Sequence, residues 1–199
     1  PNANAHFGRP QGFGASHEAP GLWRTDRRKF PGHAIVDEWL ALAAEVEGPL
    51  FGQILVVDTH SPTPPAYMER FKLSPAMLFS TEVLDGYDAA VRVFDQVVAH
   101  LDAGLAELGR EDRLLTIVGD HGEGLDLPIR AGKAHGRYVY DATVRVPWVM
   151  HGPGVVQGQR IAGVVEGVDV LPTLTELLGQ KVPGDVQGES VMATVGAKA

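Results

Sequence analysis

The feature that most constrains this chain is one arrangement that occurs twice around a single long helix pattern. Residues 86 to 108 place Tyr87, Ala90, Val91, Phe94, Val98, Leu101, Leu105 and Leu108 at spacings of three and four, which predicts an amphipathic helix. Before it, Ile54, Leu55, Val56 and Val57 form an apolar run that breaks into the proline-bearing DTHSPTPP, and after it RLLTIV breaks into DHGEG. Short apolar runs of this kind fit strands covered on both faces. Strand, helix and strand in that order predict an α/β fold, with helices flanking a mainly parallel central sheet. Ligands of such sheets bind beyond the carboxyl ends of the strands, where both polar clusters lie.

The remaining elements extend the alternation. Ile35, Val36, Leu40, Leu42, Ala43 and Val46 predict a helix over residues 33 to 47 that Gly48-Pro49 stops. VPWVMH and residues 160 to 165 read as strands, and Asp169 as the N-cap of a last helix through Leu178. Gly109 and Gly179 are placed to close the two later helices. Residues 1 to 32 show no periodicity and read as an irregular lead-in, residues 33 to 191 as the α/β domain, and residues 192 to 199 as a frayed tail.

Composition removes several classes of function. A length of 199 residues with 44% hydrophobic content suits one real core, and a formal charge of −8 leaves no broad cationic face for nucleic acid. The absence of cysteine excludes disulfides, thiolate metal sites and a cysteine nucleophile within this chain. No run of ~20 apolar residues predicts a membrane span, and the first residues lack the basic-then-apolar order of a signal peptide. Compartment is left open, since an exported parent can lose its leader.

Asp120 and His121 combine a carboxylate and an imidazole where a strand breaks into a glycine-bearing loop, a donor pair that suits Zn or Mn. Two ligands are too few for a closed site, and by spacing alone Asp120 as a turn cap with His121 as a loop residue is the simpler reading. Lys133 and His135 share the next loop. Together they would suit a tetraoxyanion, the lysine as a point charge and the histidine as donor or as acid to a leaving oxygen; the plain alternative is two surface residues. His60 can project from the neighbouring strand end into the same crevice, while Asp58 either orients it or caps the turn.

Taken together, DTHSPTPPAY, DHGEG, AHGRYVYDATVRVPWVMHGPG, GVDVLPTLTELLG and QGESV, in that order, resemble the later part of a sulfatase-type catalytic domain of the alkaline phosphatase superfamily. The resemblance runs from about Gln11 to Val191. It implies an alkaline-phosphatase-like fold, one divalent cation and hydrolysis of a sulfate ester, or of a phosphate ester in sister branches. Calcium is the implied ion for a sulfatase, Mn or Zn for a phosphoryl-transfer relative. Carried across, Asp120 and His121 match the metal-binding acid and its neighbour, and His135 matches the residue at the transferring group or leaving oxygen. His60 matches the substrate-side histidine, and Lys133 is a looser match on the substrate side.

One departure from the pattern matters chemically. The family's nucleophile, a formylglycine made from Cys or Ser or else a plain Thr or Ser, belongs to a motif absent here; Ser61-Pro62 and Ser74-Pro75 lack its context. The expectation is therefore a fragment that begins after the nucleophile and is incomplete at its N-terminal side. Such a fragment is inactive alone, and its unpaired sheet edge is open to self-association. Phosphodiester or phosphoglycerol transfer in the same superfamily, and a non-catalytic α/β binding module, are the alternatives.

Overall fold

The computed structural model describes residues 31–60, 65–70, 81–125, 135–136 and 138–193. The expectations for Lys133, for residues 1–30 and for the tail from residue 194 fall outside the described residues. The elements in chain order are α1 (Gly32–Glu45), α2 (Pro65–Arg70), α3 (Thr81–Glu107), β1 (Leu115–Val118), α4 (Asp141–Val144), β2 (Trp148–His151) and α5 (Val170–Leu177), the last entered through a 3-10 turn at Gly167–Asp169. They fall into two units, one within Pro1–Glu111 and His121–Arg145, the other within Asp112–Asp120 and Val146–Ala199.

In the first unit the core forms where α1 meets α3. Val36, Val93 and Val97 are buried together, with Leu40, Ile54, Val56, Tyr67 and Leu101 packed around them. Each fully buried valine contributes roughly 1.5–3 kcal/mol of transfer free energy. The buried stripe of α3 includes Ala89, Ala90, Val93, Val97 and Leu105, so it is turned from the expected one, and Val91 is 41% exposed. The cause is close approach: a Cβ on Gly104 would fall 2.3 Å from Leu40 Cδ1, so small residues choose the contact face.

The ends of the helices follow from sequence. Gly109, at φ 69°, closes α3: its N–H bonds to Ala106 O and that of Arg110 to Leu105 O. The guanidinium of Arg110 then donates to Ala43 O at 3.2 Å and Gly48 O at 3.1 Å, and also to Val46 O, satisfying carbonyls at the end of α1.

Residues 54–57 differ from expectation. Ile54 and Val56 pack on the helical core while Leu55 is 59% exposed, so the run is covered on one face. No ladder forms there among the described residues.

The second unit contains the only ladder among the described residues. β1 and β2 pair antiparallel, with Leu115 opposite His151 and Val118 opposite Trp148. The mainly parallel sheet expected from the sequence is not seen among the described residues. The connection between these strands carries only the four-residue α4 among its described residues. The run at 160–165 is irregular, and with Val164 96% exposed nothing covers it as a strand would require.

α5 forms and closes as expected: Gly179 sits at φ 66°, its N–H bonds to Glu176 O and that of Gln180 to Thr175 O. Its start differs. The Asp169 side chain makes no cap bond to α5 and instead accepts the N–H groups of Glu166 at 2.8 Å and Glu189 at 2.9 Å. Those two N–H groups, Glu166's first, hold its carboxyl below the usual range. Thr173 donates to Asp169 O at 2.6 Å and accepts the Val191 N–H at 3.1 Å, which docks the QGESV segment on α5. Among the described residues no helix is long and apolar enough to cross a membrane.

Candidate functional site

The DHG turn is shaped by a glycine that no other residue could replace without displacement. Gly122 donates its N–H to Thr143 O at 2.9 Å, and a Cβ there would fall 2.1 Å from Ala142 O. Thr143 is itself buried, and its hydroxyl bonds to Tyr138 O at 2.8 Å and Tyr140 O at 2.9 Å. The loop is thereby fixed to α4, and Tyr138 and Tyr140 brace that side, their rings 5.5 Å apart.

Three histidines converge in the first unit. The rings of His121 and His135 stack with centroids 3.7 Å apart and planes 25° from parallel. His60 meets His135 edge to face, at 5.5 Å and 76°. His60 and His121 are exposed and His135 is half-buried, so the cluster lies open to a ligand. Asp120 is an exposed residue of the second unit, following β1.

The turn that carries His60 is anchored from below. The His60 N–H closes onto Val57 O at 3.1 Å, while the Asp58 side chain, 1% exposed, accepts a hydrogen bond from the Tyr67 hydroxyl of α2. Burial, then the hydrogen bond to Asp58 and its negative charge, push the Tyr67 hydroxyl well above the usual tyrosine range. The second oxygen, Oδ2, is buried with no hydrogen-bond partner among the described residues. A Cβ on Gly32 would fall 2.5 Å from it, so the carboxylate lies against the first residue of α1. That helix has no side-chain cap and no acid in its first turn, and a carboxylate beside its positive end supplies the missing charge.

Donor chemistry at His121 fits a cation. Nδ1 lies 2.9 Å from Gly122 O, and a carbonyl only accepts, so Nδ1 carries the hydrogen, and in the neutral ring Nε2 is the nitrogen with a lone pair. Among the described residues no three His, Cys, Asp or Glu side chains are placed to hold a metal ion, so His121 is at most one member of a ligand set.

Two residues to which the sequence assigned no role also enter the site, Tyr67 at the end of DTHSPTPPAY and Glu123 inside DHGEG. Tyr67 anchors Asp58, and Glu123 Oε2 lies 3.4 Å from His135 Nδ1. Only a weak signal marked them: an aromatic seven residues after His60, and an acid inside a glycine loop.

Comparison with known proteins points to one family. The family model described as Sulfatase matches residues 24–180. Arylsulfatase K of Xenopus laevis is 33% identical over 96 residues, 48% of this chain and 17% of that protein. The ulvan-active sulfatase of Formosa agariphila is 25% identical over 185 residues, 82% of this chain and 35% of its own length. The chain thus spans about a sixth of the first relative and about a third of the second. In fold it is similar to the yidJ protein of Bacteroides fragilis, with a TM-score of 0.69 at 16% identity over 84% of this chain and 41% of that one.

Proposed function

The chain belongs to the sulfatase family, and on that premise we propose that it forms part of a catalytic domain that hydrolyses a sulfate ester. The observation that supports this most is the convergence of His60, His121 and His135 on one open face. When the sulfur–oxygen bond to the alcohol breaks, that oxygen leaves with the bonding pair and must take up a proton. His135 is assigned to that oxygen, as donor or acid, and His60 to the substrate side of the same group. Lys133 is assigned as a point charge for the remaining oxygens.

Asp120 and His121 are the residues of this chain assigned to a divalent cation, which when bound would offset the negative charge of the transferring group. Calcium is the ion the sulfatase reading favours; imidazole ligation and phosphoryl transfer would both favour Mn or Zn. No residue is assigned as nucleophile, because these 199 residues hold no cysteine and no serine or threonine in the motif that would carry it, and by itself the chain is proposed not to complete the reaction.

Turnover of an aryl sulfate and the matching aryl phosphate, by the protein that carries this chain, tests the assignment with and without a chelator. Expected are a chelator-sensitive preference for sulfate and a fall of roughly a hundredfold or more in His135→Ala. A preference for phosphate would move the assignment to phosphoryl transfer. Unchanged turnover in Asp120→Ala and His121→Ala would remove those residues from the cation.

A further inference from the structure

Glu123 is a nearly buried acid, its side chain 11% exposed, two residues beyond His121. Burying a carboxylate is costly unless hydrogen bonds or an opposite charge compensate it. Here Oε2 faces His135 Nδ1 at 3.4 Å, and Oε1 is buried with no hydrogen-bond partner among the described residues. A carboxylate satisfied on one oxygen only is a poor stabilising device, and an orphaned buried oxygen calls for a cause other than stability.

The geometry around His135 supplies that cause. The stack on His121 fixes the plane of the ring, but a half-turn within that plane would exchange the nitrogen at the δ position for a carbon. His60 meets the ring edge to face, with centroids 5.5 Å apart. Glu123 distinguishes the two orientations. An ionised carboxylate accepts only, so it favours the orientation and tautomer in which Nδ1 carries hydrogen. Nε2 is then left for chemistry, and an imidazole oriented by a carboxylate at its other nitrogen is a recurrent solution for a catalytic histidine.

We propose that Glu123 is a positioning residue for His135: it holds the ring with Nδ1–H toward the carboxylate, so that Nε2, when it carries a proton, faces an oxygen of a sulfate group as the donor. The second half of this statement rests on the proposed function; the first half does not. Long-range proton–nitrogen spectra of the chain labelled with 15N-histidine, recorded above the ordinary imidazole titration range, read the tautomer directly. The wild-type chain is expected to show His135 with a protonated Nδ1 and an unprotonated Nε2. Glu123→Met, which keeps the volume and removes the acceptor, is expected to lose that signature. Glu123→Gln, which keeps an acceptor, is expected to retain it, and it serves as the readout if the methionine variant does not fold.

A wild-type His135 protonated on Nε2, or the same spectrum in wild type and Glu123→Met, overturns the proposal, as does loss of the Nδ1–H signature in a folded Glu123→Gln chain. Titration with inorganic sulfate, at a pH low enough for Nε2 to carry a proton, separates the two halves. A shift of the His135 Nε2 signal in wild type that weakens severalfold in Glu123→Met supports both. An Nδ1–H signature that depends on Glu123, with no response to sulfate, upholds the positioning role and counts against the functional assignment.

Discussion

Tyr67→Phe removes one hydroxyl and leaves the ring that packs beside Val36, Val93 and Val97, so its effect isolates the hydrogen bond to Asp58. That carboxylate is 1% exposed and Oδ2 already lacks a partner among the described residues, so the variant leaves both oxygens unsatisfied. A hydrogen bond to a charged group contributes about 1.5–3 kcal/mol. Tyr67 is only half-buried, which places the loss near the lower figure, about 1.5 kcal/mol. For a chain of this length that corresponds to a Tm fall of roughly 3–6 °C.

Urea unfolding followed by circular dichroism across alkaline pH is the assay. The hydroxyl titrates above its ordinary value in the folded chain, so the stability it contributes is complete below about pH 10 and is lost as pH rises through the folded value. The difference between wild type and Tyr67→Phe should therefore shrink above pH ~10. A variant within about 0.5 kcal/mol of wild type, with the same alkaline slope, would refute the account of Asp58 as a buried acceptor held by Tyr67.

Three further outcomes follow from the same contacts. Gly32→Ala should destabilise by about 1–3 kcal/mol despite its better helix propensity, because the added Cβ would sit 2.5 Å from Asp58 Oδ2 and 2.9 Å from Val56 Cγ1; a denaturant midpoint at or above wild type would contradict this. Thr173→Val should cost about 1–3 kcal/mol by stranding the Val191 N–H, and amide exchange at Val191 should rise in step. The folded pKa of Asp169 is lowered, so its stability is present above the ordinary carboxylate range and lost as pH falls through the folded value; Asp169→Asn should flatten the acid limb of a plot of urea midpoint against pH.

Local signals carried much of this fold. The spacing of apolar residues located α1 and α3, Asp169 and Gly179 bracketed α5, and a glycine just past each of α3 and α5 marked its closure. What the spacing did not carry was partner choice. Ile54 to Val57 has the composition of a strand, yet a strand exists only as half of a ladder, and none of the described residues supplies the other half. Asp169 has the residue type of an N-cap, but the N–H of Glu189, 20 residues away, competes for its oxygen. The site shows the same division. DHG and DTH marked His121 and His60 by context, and the structure brings both to His135. Glu123 and Tyr67 act through side-chain contacts that only the folded chain creates.

The carboxylate beside Gly32 has a consequence for how this part of the chain is assembled. A helix of 14 residues starting at an uncapped Pro-Gly is marginal in isolation, and the charge that offsets its amino-terminal end arrives from a turn 26 positions later. Neither piece is sound before the other is in place. Helix α1 and the His60 turn therefore belong to one cooperative opening unit, and a fluctuation that frays the helix start also loosens the histidine that the turn presents.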